Sequence, residues 1–150
     1  MTTKHLLIAA MVVLPGTRLA MAASPADIAS GLAPEVVQVV SGGAWQDAGK
    51  TGGYRAVLVV PVGGGGAQLF IEWLAAGTGG AAPAIAAISP VKEIGELKLP
   101  DATLGSETEK TGEYTIFVEP NDPAKDSGQS YTIVASAPGK YTFSLGAPPE

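Results

Sequence analysis

The side chains that could do chemistry in this sequence are carboxylates and tryptophans, because the chain has 14 acidic residues, one histidine and no cysteine. The histidine is His5, which belongs to an N-terminal segment that we expect to be cleaved off. Without His and Cys, the remaining chain cannot form a Ser-His-Asp or Cys-His nucleophile. Zinc or copper sites built on imidazole or thiolate are excluded as well. The sequence therefore predicts no catalytic residue of these kinds, no cofactor and a protein that is not an enzyme.

Carboxylates remain as possible acid–base catalysts, and Glu72 beside Trp73 is the most suggestive of them. Aromatic rings stack on sugars, and glycosidic bonds are hydrolysed by carboxylate pairs. In an extended strand, however, Trp73 shares a face with Leu69 and Ile71. We therefore expect Trp73 to pack in the core and Glu72 to point to solvent or a sheet edge. A carboxylate-dependent enzyme acting on a glycan stays the alternative.

The segment Gly49-Lys50-Thr51 has the form of the end of a phosphate-binding loop. That motif needs a glycine where Ala44 stands, and a helix after it whose N-terminus faces the phosphates. Here Gly52 and Gly53 lead into a strand instead. The segment is better interpreted as part of a glycine-rich surface loop.

Oxygen-rich segments are the candidates for calcium binding. The stronger one has the right ligand types without the spacing of a calcium loop, and its candidate ligands are Glu119, Asn121, Asp122 and Asp126. The weaker one consists of Asp101, Glu107, Glu109 and Glu113. Lys125 lies within the stronger segment. We expect both to be solvated acidic loops, and we predict no metal site.

Trp45 is the best candidate for an exposed binding residue. It lies in the glycine-rich segment 42–52, which predicts a loop, and tryptophan is enriched at interface hot spots. The predicted binding residues are Trp45, Asp47, Lys50 and Tyr54. The other interpretation of Trp45 is a plug over one end of the fold.

The N-terminus has the pattern of a secretory signal. Lys4 precedes an apolar run, residues 6–14, that is too short to span a bilayer, and Ala20-Met21-Ala22 is a small-x-small cleavage motif. Cleavage after Ala22, or after Ala23, predicts a periplasmic or secreted protein with no membrane anchor. It leaves seven basic against 14 acidic residues, because Lys4 and Arg18 are lost from the nine basic residues of the full chain. This acidic balance, without a Lys/Arg cluster, argues against nucleic-acid binding.

Alternating apolar residues and frequent turn residues predict an all-β fold. The hairpin 53–75 contains two apolar runs, Tyr54–Val60 and residues 68–74, that are separated by four glycines. Further strands are predicted at 35–41, 84–88 (interrupted by Pro90), 113–119, 131–136 and 141–145. Residues 91–99 fit either a helical turn or a strand, and 101–112 a loop or a frayed edge.

These segments predict an antiparallel immunoglobulin-like β-sandwich of seven or eight strands. The predicted boundaries are a signal peptide at 1–22, an N-terminal arm at 23–34, the sandwich at 35–146 and a tail at 147–150. Its oligomeric state is open.

The chain carries the short motifs Gly42-Gly43-Ala44-Trp45, Gly53-Tyr54-Arg55 and Trp73-Leu74. In these motifs it resembles a group of short exported proteobacterial proteins of unknown function. The resemblance implies export from a Gram-negative cell and a small β domain. Together with the signal, it favours an exported module that binds a protein or an envelope polymer. A structural accessory of the envelope is a further alternative.

Overall fold

The computed structural model describes residues 30–108, 112–121 and 129–146. The chain divides into two compact units, residues 1–32 and 33–150, and the fold described below is that of the second unit. The predicted signal peptide, residues 23–29 of the predicted arm and the predicted tail lie outside the described residues. So do Glu109, Asp122 and Asp126.

The described part of the second unit contains eight strands and one short helix, α1 (Lys92–Leu97). The strands are β1 (Val36–Asp47), β2 (Lys50–Val59), β3 (Gln68–Ala75), β4 (Ala84–Val91), β5 (Ala102–Glu107), β6 (Tyr114–Pro120), β7 (Tyr131–Ala135) and β8 (Tyr141–Leu145). They form two four-stranded antiparallel sheets, in the orders β1-β2-β3-β4 and β5-β6-β7-β8. The predicted all-β sandwich is confirmed. Each strand pairs with its neighbour in sequence, so both sheets are meanders, whereas immunoglobulin domains use Greek-key connections.

The core forms between the inner faces of the two sheets, as the alternation of apolar residues predicts. On β2, Tyr54, Ala56 and Leu58 are at most 1% exposed, while the residues between them are half-buried. Trp73 of β3 is fully buried, as predicted. β2 lies between β1 and β3, which confirms its predicted central position.

The two sheets are joined along both open sides by polar side chains. The Gln38 amide donates to the carbonyl oxygen of Leu104 and accepts from its N–H, both at 2.8 Å. This side chain thus makes the pair of bonds that a neighbouring strand would make. On the opposite side, the Tyr141 hydroxyl donates to the Glu93 carboxylate at 2.9 Å, and so links β8 to α1.

The predicted loop over 42–52 is wrong, because β1 and β2 continue through it to a two-residue turn. The turn residues Ala48 and Gly49 have φ values of 46° and 76°, the signs of a type I′ hairpin turn. Gly42 before the turn and Gly52 after it are required by close packing rather than by chain reversal. A Cβ at Gly42 would lie 2.9 Å from the Tyr114 ring, and one at Gly52 would overlap the carbonyl oxygen of Leu74.

Two further boundaries differ from the predictions, and one segment that the sequence left open is now assigned. β4 continues through Pro90 to Val91, which an edge strand allows because proline then loses no ladder hydrogen bond. Residues 102–107 of the predicted loop or frayed edge form the edge strand β5. The segment 91–99 contains α1, in agreement with the helical alternative. The helix ends at Leu97, and the next residue, Lys98, is left-handed with φ 49°.

Candidate binding site

One open pocket lies at the end of the first sheet, near the β1–β2 turn. We call it the glycine pocket; it has a volume of about 910 Å³. It is lined by residues 41–46 of β1, residues 51–54 of β2, Leu74, Ala76, Pro83 and Gly112. None of these residues carries a charge. The pocket therefore suits an uncharged partner.

The glycines that line this pocket differ in the space that lies beside them. Gly43 has φ 61°, and a Cβ there would lie 2.9 Å from the Tyr54 ring. Gly53 is different, because a Cβ there would meet only the Gly43 carbonyl oxygen, at an ordinary 3.5 Å. The space beside Gly53 is thus open.

Trp45 is 2% exposed and lies within β1, where it pairs with Gly52. Its indole N–H donates to the carbonyl oxygen of Gly53 at 3.0 Å. A Cβ at Gly52 would come within 2.8 Å of its ring, so the glycine makes room for the indole. Trp45 closes the end of the core under the pocket, which favours the plug interpretation over an exposed anchor.

Tyr54 is 1% exposed, and its hydroxyl fixes two loops by hydrogen bonding. The hydroxyl lies 2.8 Å from the carbonyl oxygens of Gly112 and Ser136, and donates between them. The indole N–H of Trp73 also donates to the Ser136 carbonyl, at 2.8 Å. Burial, with a smaller contribution from the Glu113 carboxylate, raises the pKa of Tyr54 to about 12. Tyr54 therefore holds the pocket wall in place through Gly112.

Asp47 and Lys50 face each other across the β1–β2 turn and are exposed. Neither lines the glycine pocket. Of the four predicted binding residues, the structure thus brings Trp45 and Tyr54 together at the pocket. It places Asp47 and Lys50 at the turn beyond it.

The calcium candidates are only partly described. Glu119 is exposed on β6, and the Asn121 amide donates to the Thr103 hydroxyl at 2.9 Å and to the Asp101 carboxylate at 3.4 Å. Among the described residues, no group of three or more Asp, Glu, His or Cys side chains is arranged to hold a metal ion. Asp122 and Asp126 lie outside those residues, so this candidate stays a prediction.

Glu72 occupies the outer face of the first sheet and is 8% exposed. Its carboxylate forms an ion pair with the Arg55 guanidinium on the neighbouring strand. β3 lies inside the sheet, so the predicted sheet-edge or solvent position is wrong, although the opposite orientation to Trp73 is correct. The pairing with Arg55 covers a carboxylate that otherwise would face solvent.

The residues that sequence reasoning missed at this site are small ones. Gly53, Ala76 and Pro83 carry no reactive group, so residue type does not single them out. The signal that points to Gly53 is register, because Gly53 pairs with Leu74 on the next strand and Gly52 pairs with Trp45. Register depends on the position of the turn, and the predicted loop over 42–52 does not specify that position.

Comparisons of the chain with protein-family models, with curated proteins and with solved structures find no match. The resemblance to short exported proteobacterial proteins therefore stays a prediction. Within the described ranges, no helix has the length and apolar character needed to cross a membrane.

Proposed function

We propose that this protein is an exported binding module of the bacterial periplasm or envelope. It acts by holding a partner and does not catalyse a reaction. The signal sequence supports export, and the glycine pocket is the observation that carries the binding role. The partner is an uncharged segment of a protein or of an envelope polymer that enters this pocket.

The lining of the pocket supports a passive binding site. It contains no acidic, basic or histidine side chain, so it offers neither the carboxylate pair of a glycosidase nor a histidine or lysine as general base. Glu72, the best catalytic candidate in the sequence, is already paired with Arg55. These observations favour binding over the alternative of an enzyme that acts on a glycan.

The burial of Trp45 supports a protein segment over a sugar. Sugar binding by aromatic residues needs an exposed ring face, and Trp45 is 2% exposed. Exposed backbone and small apolar side chains, such as Ala76 and Pro83, instead suit contact with an extended chain. Shape and main-chain hydrogen bonds then supply the affinity.

Filling the pocket at Gly53 tests the proposal. Gly53→Val adds a β-branched side chain to a strand at a position where a Cβ makes only an ordinary 3.5 Å contact, and we expect it to abolish capture of the partner from envelope extract. Gly105→Val is the matched control, because a Cβ there meets only the Phe117 side chain, at 3.6 Å, on the other sheet. Equal capture by the wild type and by a folded Gly53→Val variant would contradict the proposal.

A further inference from the structure

The outer face of the first sheet is unusually apolar for a surface that faces solvent. Its apolar residues, which we call the valine face, are Val37, Val39, Val57, Val59, Phe70, Ile88 and Pro90. Val37, Val39 and Ile88 are 51%, 41% and 56% exposed. None of the seven lines the glycine pocket. The valine face therefore has residues of its own, although Gly53 and Leu74 of the pocket lie further along the same outer face.

The strand register makes the valine face continuous. Val39 pairs with Val57, Val57 with Phe70, and Phe70 with Pro90, so these residues form one row across all four strands. Clustered exposed apolar residues of this kind mark interaction sites, whereas single ones are ordinary.

The outer face of the second sheet provides the contrast. Its strands present mainly hydroxyl and carboxylate residues, which include Thr103, Glu107, Thr115, Glu119, Thr142 and Ser144. This is the usual pattern for a sheet with one solvated face. Both sheets belong to the same sandwich, but only the outer face of the first is apolar. The sandwich fold by itself therefore does not explain the apolar residues on that face.

The charges on the first sheet show what kind of partner fits. The Arg55–Glu72 pair joins β2 to β3, and these are the two inner strands of the sheet. It therefore lies across the midline of the sheet, with one charge on each side. A two-fold axis that runs parallel to the strands and above this midline would place β2 of one copy over β3 of the other. Each Arg55 then faces a Glu72, and each Val57 faces a Phe70.

We propose that the valine face is the interface of a homodimer in which two copies pack with their first sheets face to face. Aligned packing of two sheets buries side chains between layers about 10 Å apart. The four charges alternate in sign at the centre of the interface. Since Glu72 is already 8% exposed within one chain, closing the interface removes little further hydration from that carboxylate.

The size of the face sets the strength of this dimer. Four strands spaced about 4.8 Å apart and about 20 Å of strand length give a footprint of about 400 Å² per copy before side-chain relief is added. Stable complexes bury about 800 Å² per partner. The dimer is therefore weak, and its population depends on protein concentration.

Light scattering during size-exclusion chromatography tests this dimer with the purified protein alone. Between ~1 μM and ~1 mM, we expect the mass to rise from one chain to two and no further, because the symmetry is closed. Ile88→Glu places a charge in the interface, and we expect it to weaken dimerisation about tenfold or more. Thr142→Glu is the matched control on the outer face of the second sheet, and it leaves dimerisation unchanged.

Reversing the charge at Arg55 or at Glu72 tests the proposed position of the two-fold axis. Arg55→Glu and Glu72→Arg each place four like charges at the centre of the homodimer, so each variant alone is monomeric. An equimolar mixture restores the dimer, because every charge then faces its opposite. Circular dichroism verifies that both variants are folded. A mixture that stays monomeric although both variants are folded overturns the proposal.

Three results of the light-scattering measurements on the wild type and its variants overturn the proposal as well. They are a monomer over the whole concentration range, a mass that grows beyond two chains, and equal weakening by Ile88→Glu and Thr142→Glu. A monomer that sediments with phosphatidylethanolamine vesicles would assign the valine face to a lipid surface instead. None of these measurements involves the pocket partner, so their outcome is separate from that of the proposed function.

Discussion

The rings of Tyr54 and Tyr114 stack in the core with their centroids 5.5 Å apart and their planes at 14°, yet their hydroxyl groups differ. The Tyr54 hydroxyl donates between two carbonyl oxygens at 2.8 Å. The buried Tyr114 hydroxyl has no well-formed hydrogen bond among the described residues, although Ser106 lies near it. Two stacked residues of one type thus differ in the hydrogen bonding of their hydroxyl groups.

Removing the two hydroxyl groups therefore has unequal costs. We expect Tyr54→Phe to lower the free energy of unfolding by about 1–2 kcal/mol, because the Gly112 carbonyl oxygen loses its donor. Tyr114→Phe removes a buried polar atom without a partner, so it leaves stability unchanged or raises it. Urea unfolding of both variants measures the difference, and equal losses would contradict these hydrogen-bond assignments.

High pH destabilises the fold through Tyr54. Its pKa is about 12 in the folded chain and about 10 in the unfolded chain, so the folded state retains a proton that the unfolded state loses. The contribution of this group is complete below pH ~10 and is lost as the pH rises towards ~12. Urea midpoints at several pH values measure the decline, which we expect to be shallower in Tyr54→Phe. Identical slopes for the variant and the wild type would show that Tyr54 does not cause it.

Two adjacent glycines give a matched test of packing at the pocket. Gly52→Ala brings a Cβ onto the Leu74 carbonyl, and we expect a loss of about 3 kcal/mol or more. Gly53→Ala makes only an ordinary contact, and it exchanges a weak strand residue for a better one. Thermal unfolding separates the two substitutions. Similar melting temperatures for both variants would mean that β1 and β3 do not enclose Gly52 as described.

The residue at the first position of the β1–β2 turn can be exchanged for one that stabilises the turn. Ala48 has φ 46°, a left-handed conformation that costs an L-residue with a Cβ about 1 kcal/mol. Asn-Gly is a preferred type I′ sequence, so we expect Ala48→Asn to raise the free energy of unfolding by about 0.5–1 kcal/mol. Chemical denaturation measures this gain. A loss of stability would indicate a different turn type.

The alternation of apolar residues along the strands predicts much of this fold. The glycine positions that it does not predict are explained by steric contacts between strands. Tyr54, Leu58, Ile71 and Trp73 are buried as their period of two requires. The glycines of 42–52 predicted a loop because glycine is common in turns. Gly49 does lie in the turn, but Gly42 and Gly52 lie in strands, where larger residues would strike Tyr114 or the Leu74 carbonyl. Single-sequence patterns do not contain such contacts between distant residues.

The sequence predicted the segment that contains the candidate site, but not the residues that line it. The sequence points to the segment around Trp45, but its burial depends on the register that places Gly52 opposite the indole. The apolar character of both faces of β2 correctly predicted a central strand. Val57 is nevertheless only half-buried. It lies on the outer face of the first sheet, and the second sheet packs against the inner face.

Site-specific photo-crosslinking in living cells tests the binding role most directly. A photoreactive residue at Ala76, an exposed residue of the pocket rim, is compared with one at Thr142 on the opposite sheet. We predict one discrete crosslinked species from position 76, its loss when Gly53→Val is added, and no such species from position 142. Crosslinks of equal yield from both positions, or none from position 76, would contradict a binding module that uses the glycine pocket.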